Sequence, residues 1–130
     1  MQTSTGKAEF TSDYLNNKLT LRRLGAPLLY AYDAHSFIRR LRGIHGVPTL
    51  GATDALIIRP CRAIHTFGVN ETIDVAFMNR QGIILKLQTV EPREVLMCWN
   101  ACVALEMAHG TASRIGLAPG QQLIPDAGKW

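Results

Sequence analysis

Two alternating runs joined by a short turn constrain the fold of this chain more than any other feature. Ile73, Val75 and Phe77 alternate with Asp74, Ala76 and Met78, the period-two signature of a strand with one strongly apolar face. Asn79-Arg80-Gln81-Gly82 is turn chemistry, because glycine takes a positive φ at little steric cost. Ile83 to Val90 resumes the pattern, with Leu85 and Leu87 opposite Lys86 and Gln88. Together the runs predict an antiparallel hairpin. Asp74 sits at its non-apolar positions and is expected to face water or a partly closed cleft.

The remaining segments read the same way. Leu28 to Tyr32 is a short apolar run of strand type, and Ala55 to Ile58 reads as a buried strand ended by Pro60. Between them Asp33 or Ser36 offers a helix N-cap, and Phe37, Ile38, Leu41 and Ile44 form a helical stripe stopped by Gly46 and Pro48. Val95 to Trp99 and Ala101 to Met107 are further strand candidates. The second puts Ala101, Val103, Leu105 and Met107 on one face and Glu106 on the other. Thr111 to Ile115 is a helical turn closed by Gly116, and Gln121 to Ile124 is a last strand. Eleven Gly and six Pro supply the many turns that such short elements need. The expectation is a mostly β, compact sandwich- or barrel-like domain with one or two short helices.

A length of 130 residues suits one domain. Residues 1–27 are expected as a mobile N-terminal arm and lead-in, 28–124 as the single β-rich domain and 125–130 as a short C-terminal tail. With 47% hydrophobic and 18% charged residues, wholesale disorder is excluded. No apolar run is long enough for a membrane span, and the start lacks the pattern of a secretory signal. The expectation is therefore a soluble, cytoplasmic chain without membrane insertion.

Charge and cysteine usage narrow the chemistry. The net charge of +4 is unevenly spread: residues 1–65 hold nine basic and four acidic side chains, residues 66–130 five and six. The surplus is mostly arginine, at Arg22, Arg23, Arg39, Arg40, Arg42, Arg59 and Arg62. Such a cluster attracts polyanions when it converges on one patch, and is otherwise a solvated surface. Cys61, Cys98 and Cys102 are an odd set, without a secreted disulfide framework or the tight paired knuckles of a zinc site. No metal and no cofactor are expected.

The densest polar stretch runs from Cys61 through His65 and Thr66 to Gly68, followed by Asp74. A thiol, an imidazole and a carboxylate so close invite a nucleophile–base–orienter arrangement. In an extended strand, however, Cys61 and His65 would lie roughly 13 Å apart. The phosphate-binding, nucleophile-elbow and zinc-protease motifs are missing.

Several pieces in collinear order carry a resemblance. They are Ala34-x-Ser36-Phe37-x-Arg39-x-Leu41-Arg42-Gly43-Ile44, Ala55 to Cys61, Ile64-His65-Thr66-Phe67-Gly68-Val69, and Ile73 to Phe77. Later come Gly82-x-Ile84-Leu85, Pro92-Arg93, Leu105-Glu106-Met107-x-x-Gly110 and Gly116-Leu117-x-Pro119-Gly120. Over about Leu28 to Ile124 the chain resembles domain-of-unknown-function family 192. It departs at Val69, where members commonly carry Met, and at Gln121, where an Asp commonly follows the glycine. The resemblance implies a mostly β domain with short helices packed on it. By association alone it also implies a role linked to secretion or the cell envelope.

The functional expectation is a non-enzymatic accessory domain that binds a small ligand or a protein partner through a polar cleft. His65, Thr66, Asp74 and Glu106 would form the walls, with Arg59 and Arg62 at the mouth. One alternative is a hydrolase-like enzyme with Cys61 as nucleophile, or an Asp74-activated water, and His65 as base. A second is weak nucleic-acid binding by the arginine cluster.

Overall fold

The computed structural model describes residues 18–33, 50–66 and 71–130. Its strands are β1 (Lys18–Arg23), β2 (Ala26–Asp33), β3 (Asp54–Ile58), β4 (Ala63–His65), β5 (Ile73–Met78), β6 (Ile84–Val90), β7 (Val95–Met97), β8 (Val103–Ala108) and β9 (Ile124–Pro125). A single helical turn, α1 (Thr111–Arg114), follows β8. Seven strands form one sheet in the order β6-β5-β8-β3-β2-β1-β9, and β4 and β7 form a second. Among the described strands, only β2 and β3 pair in parallel. The helix expected over residues 36–44, with Arg39, Arg40 and Arg42, lies outside the described residues, as do Phe67, Gly68 and Val69.

The predicted hairpin is present as β5 and β6, paired from Ile73↔Val90 to Met78↔Ile84. Its turn is held by Asn79, whose Oδ1 accepts the backbone N–H groups of Gln81 and Ile83. Gly82 takes φ +80, and a Cβ there would collide with the Leu123 carbonyl oxygen and the Trp130 indole nitrogen. Glycine is therefore required both by conformation and by the approach of the C-terminal segment.

The one-sided reading of β5 needs correction. On one face Ala76 and Met78 join Leu21, Leu29, Ile57, Leu105 and Met107 in the larger core, which Ala112, Leu117 and Leu123 close. On the other, Val75 and Phe77 join Val90, Ala104, Ile64, Leu96, Cys61 and Ala101 in a second core. β5 is thus buried on both sides, as its contiguous Val-Ala-Phe-Met run allows. We call the first face inner and the second outer. The small sheet packs Ile64 and Leu96 onto the outer face, so the expected sandwich form fits, and the large sheet is not closed into a barrel. Ile83, just before β6, and Gln122, shortly before β9, form an isolated antiparallel bridge.

The boundaries differ from expectation at both ends. β1 lies within the segment expected as arm and lead-in, and pairs with β2 from Lys18↔Tyr32 to Arg23↔Ala26. Its Lys-Leu-Thr-Leu-Arg alternation is the reason, since it turns Leu21 fully into the core. In the expected tail, Pro125 pairs with Leu21, Asp126 Oδ1 accepts Arg22 Nε at 3.1 Å, and Trp130 Nε1 donates to the Leu123 carbonyl at 2.8 Å. Among the described residues, no helix is long and apolar enough to cross a membrane.

Candidate functional site

Register decides which of the expected residues can meet. Asp74 lies opposite Met107, whereas Val75 lies opposite Glu106. Directly paired residues share a face, so Asp74 points inward and Glu106 outward. The two carboxylates stand on opposite sides of the sheet and form no common cleft.

Asp74 is buried, and its oxygens are occupied. Oδ1 accepts the Thr89 hydroxyl at 2.9 Å, and Oδ2 accepts the backbone N–H groups of Gly110 and Ala112, both at 3.0 Å. Gly110 precedes α1 and has no side chain to cap it. Asp74 therefore supplies from β5 the cap that the local sequence lacks. Its expected exposure to water or a cleft is overturned by this demand for an acceptor. Thr66 is likewise committed: its hydroxyl donates to the Glu91 carbonyl at 2.7 Å and accepts the Glu94 N–H at 2.8 Å. These bonds fasten the end of β4 to the turn between β6 and β7.

Glu106 is different. It is half-buried between Leu56 on β3 and Val75 on β5, with Ala104 and Ala108 two positions away along its own strand. No hydrogen bond or ion pair reaches its carboxylate among the described residues. Burial raises its pKa above the ordinary carboxylate value.

Further along the same face, register aligns Lys18, Tyr32, Leu56 and Glu106 in one row across four strands. Tyr30 and Asp54 form the neighbouring row. Tyr32 and Glu106 are two strand spacings apart, roughly 10 Å, with Leu56 between them. Burial first, then the charge of Asp54 and the neighbouring Tyr30, pushes the Tyr32 phenol up. Asp54 Oδ2 accepts the Gly51 N–H at 2.8 Å. Lys18 places its ammonium 4.8 Å from the centre of the Tyr30 ring. Tyr30, Tyr32, Leu56 and Asp54 were not singled out in the sequence, although the i, i+2 spacing of the tyrosines marks one strand face.

Cys61 and His65 are not brought together as a nucleophile and base. Cys61 is buried in the second core and donates its thiol to the Ala63 carbonyl at 3.3 Å, while His65 is exposed on the outward side of β4. Burial pushes the Cys61 thiol up, and the Glu106 charge adds to this. A thiol so placed is a poor nucleophile.

The described arginines are also dispersed. Arg22 pairs with Asp126, and Arg23 donates to the Gly116 carbonyl and Gln121 Oε1, both at the turn end of β1. Arg59 and Arg62 are exposed beyond the far end of β3. The parallel register of β2 and β3 separates these pairs by on the order of 25 Å. They do not make one continuous patch.

Comparison with known proteins agrees with this architecture. Residues 26–124 match the model of DUF192, described as an uncharacterized ACR. Among curated proteins no sequence match is found. The crystal structure of a protein from Sinorhizobium meliloti 1021, provisionally described as a transcription regulator, is similar with a TM-score of 0.68 and 18% identity. That similarity covers 85% of this chain and 95% of the other. A protein of unknown function from Novosphingobium aromaticivorans DSM 12444 is similar with a TM-score of 0.61 and 16% identity, over 82% of each chain. At these identities the likeness is one of fold.

Proposed function

We propose that this chain, which belongs to the DUF192 family, is a binding module without chemistry of its own, and that its ligand is a small amphipathic cation. The ammonium or guanidinium group would meet Glu106, the apolar body would lie on Leu56, and the far end would reach Tyr32. The observation that carries this reading is the half-buried Glu106 carboxylate, flanked by Leu56 and Val75 and without a partner among the described residues. Holding such a charge unpaired is costly, and a bound cation removes the cost. The Lys18 ammonium over Tyr30 supports the choice of ligand charge, since the same face already accommodates a cation of the chain itself. Of the polar cleft expected from the sequence, this reading retains Glu106 and replaces the other walls.

Thermal denaturation with matched small molecules tests it. Phenethylamine should raise Tm, whereas phenethyl alcohol and phenylpropionate should leave it unchanged. Ligand at about 100 times its Kd stabilises by about 2.7 kcal/mol. Glu106→Gln should abolish the phenethylamine effect. An equal response to the neutral alcohol, or no response to any amine, would overturn the proposal.

A further inference from the structure

The small sheet turns its other side outward. Ala63 lies opposite Met97 and His65 opposite Val95, and all four are exposed, while Ile64 and Leu96 are buried between them in sequence. Three of the five large apolar side chains exposed among the described residues come from this segment: Val95 at 61%, Met97 at 41% and Trp99, in the turn after β7, at 71%. A shallow, open depression of about 340 Å³ lies here, lined by Ala63, Ile64, His65 and Val95. Solvent does not favour such a concentration of apolar surface, and it marks an interaction site more often than an ordinary strand face.

Charge gives the surface a direction. Arg62 adjoins its Met97 end, where the Cys98 N–H donates to the Arg62 carbonyl at 2.7 Å, and Arg59 stands just before it in the chain. Both arginines are exposed, and neither makes an ion pair among the described residues.

We propose that this face docks an extended segment of a partner protein that carries a large apolar side chain and, three or four residues away, a carboxylate. The apolar side chain fills the depression beside His65 and Val95, and the carboxylate meets Arg62, with Arg59 adding to the positive charge nearby. The spacing follows from the roughly 10 Å between the Val95 and Cys98 levels, at ~3.3 Å per residue of extended peptide. The depression favours an inserted side chain over a flat lipid surface. The size of the face favours a short segment over a second copy of this chain. Three residues on each of two strands, with Trp99 beside them, expose well under the ~800 Å² per partner of a stable interface.

The test is selection of a random dodecapeptide phage library on the full chain, followed by fluorescence anisotropy with the selected peptide. The expected motif is Phe, Leu or Trp with Asp or Glu three or four positions away. Arg62→Glu should weaken the synthetic peptide about 10-fold, and Val95→Thr combined with Met97→Thr by at least as much. All three positions are exposed, and Arg62→Glu touches no apolar contact, so it reads binding even if the double variant fails to fold. Failure to enrich any motif, a motif without an acidic residue, or unchanged affinity in Arg62→Glu would each overturn the proposal. Two controls address other occupants. Binding to phosphatidylglycerol vesicles in place of peptide would assign the face to a lipid surface. A dimer in sedimentation that Val95→Thr with Met97→Thr dissolves would assign it to a second copy. Either result would likewise overturn the proposal.

Discussion

Asp74 and Glu106 are carboxylates on adjacent strands of one sheet, a single register step apart, and they live in opposite circumstances. Asp74 faces the inner core and is nearly as deeply buried as the residues around it, yet three donors surround it. Glu106 faces outward, is less deeply buried, and has an apolar neighbour on either side but no donor among the described residues. Burial alone therefore does not distinguish these two acids; the state of their hydrogen bonds does. The inner face uses its acid to hold α1 and the β5–β6 hairpin together. On the outer face, under the proposed reading, the acid is satisfied by a bound cation.

The comparison is broken most severely at Asp74. Asp74→Ala removes a charged acceptor and strands two backbone N–H groups inside the protein, so the expected loss is about 3–5 kcal/mol. Asp74→Asn keeps one acceptor oxygen and should recover part of that loss. Urea unfolding of both variants measures the difference. A loss below about 1 kcal/mol for Asp74→Ala would show that α1 does not depend on this cap.

A smaller effect is expected where the inner face is closed by the C-terminal segment. Gly82→Ala combines a positive φ with a collision against the Leu123 carbonyl and the Trp130 indole. The expected cost is about 2–3 kcal/mol, with Trp130 fluorescence shifting toward that of an exposed indole. If the variant melts like the wild type, the segment from Leu123 to Trp130 is not seated as described.

The contrast between the two acids also explains what the sequence could reveal. Local patterns carried the hairpin, β3, β8, and the outward direction of Glu106, because period two and turn residues report on a single strand. They did not carry the burial of Asp74, whose donors lie 36 and 38 residues away. Two traces of it were nevertheless present. Ala76-Phe77-Met78 is a continuous apolar run, unlike a one-sided strand, and Gly110 gives α1 no capping side chain, so an acceptor had to come from elsewhere. β1 left a trace too, in the alternation of Leu19 and Leu21 with Lys18, Thr20 and Arg22, although the polar stretch around it reads as an arm. The site proposed on the outer face was not legible. Tyr32, Leu56 and Glu106 become neighbours only through the register of three strands, including the one parallel pair.

Glu106 should give the smallest effect, and one of opposite sign. Burial raises its folded-state pKa above the ordinary 4.5, so the native protein holds this proton more tightly than the unfolded chain does. The ionised group is fully destabilising above the folded-state pKa. That penalty fades as pH falls through the folded-state pKa and is gone below about 4.5. Glu106→Gln carries no charge at any pH and should therefore exceed the wild type at pH 7 by about 1 kcal/mol, or on the order of 3–5 °C in Tm. The two stability curves should converge below pH 4.5, since protonated glutamate and glutamine are both neutral. A gain at pH 7 that disappears in acid is the signature of an acid kept at the expense of stability, as a binding residue is and a structural one is not. A loss at pH 7 would mean that Glu106, like Asp74, has its partner within the fold.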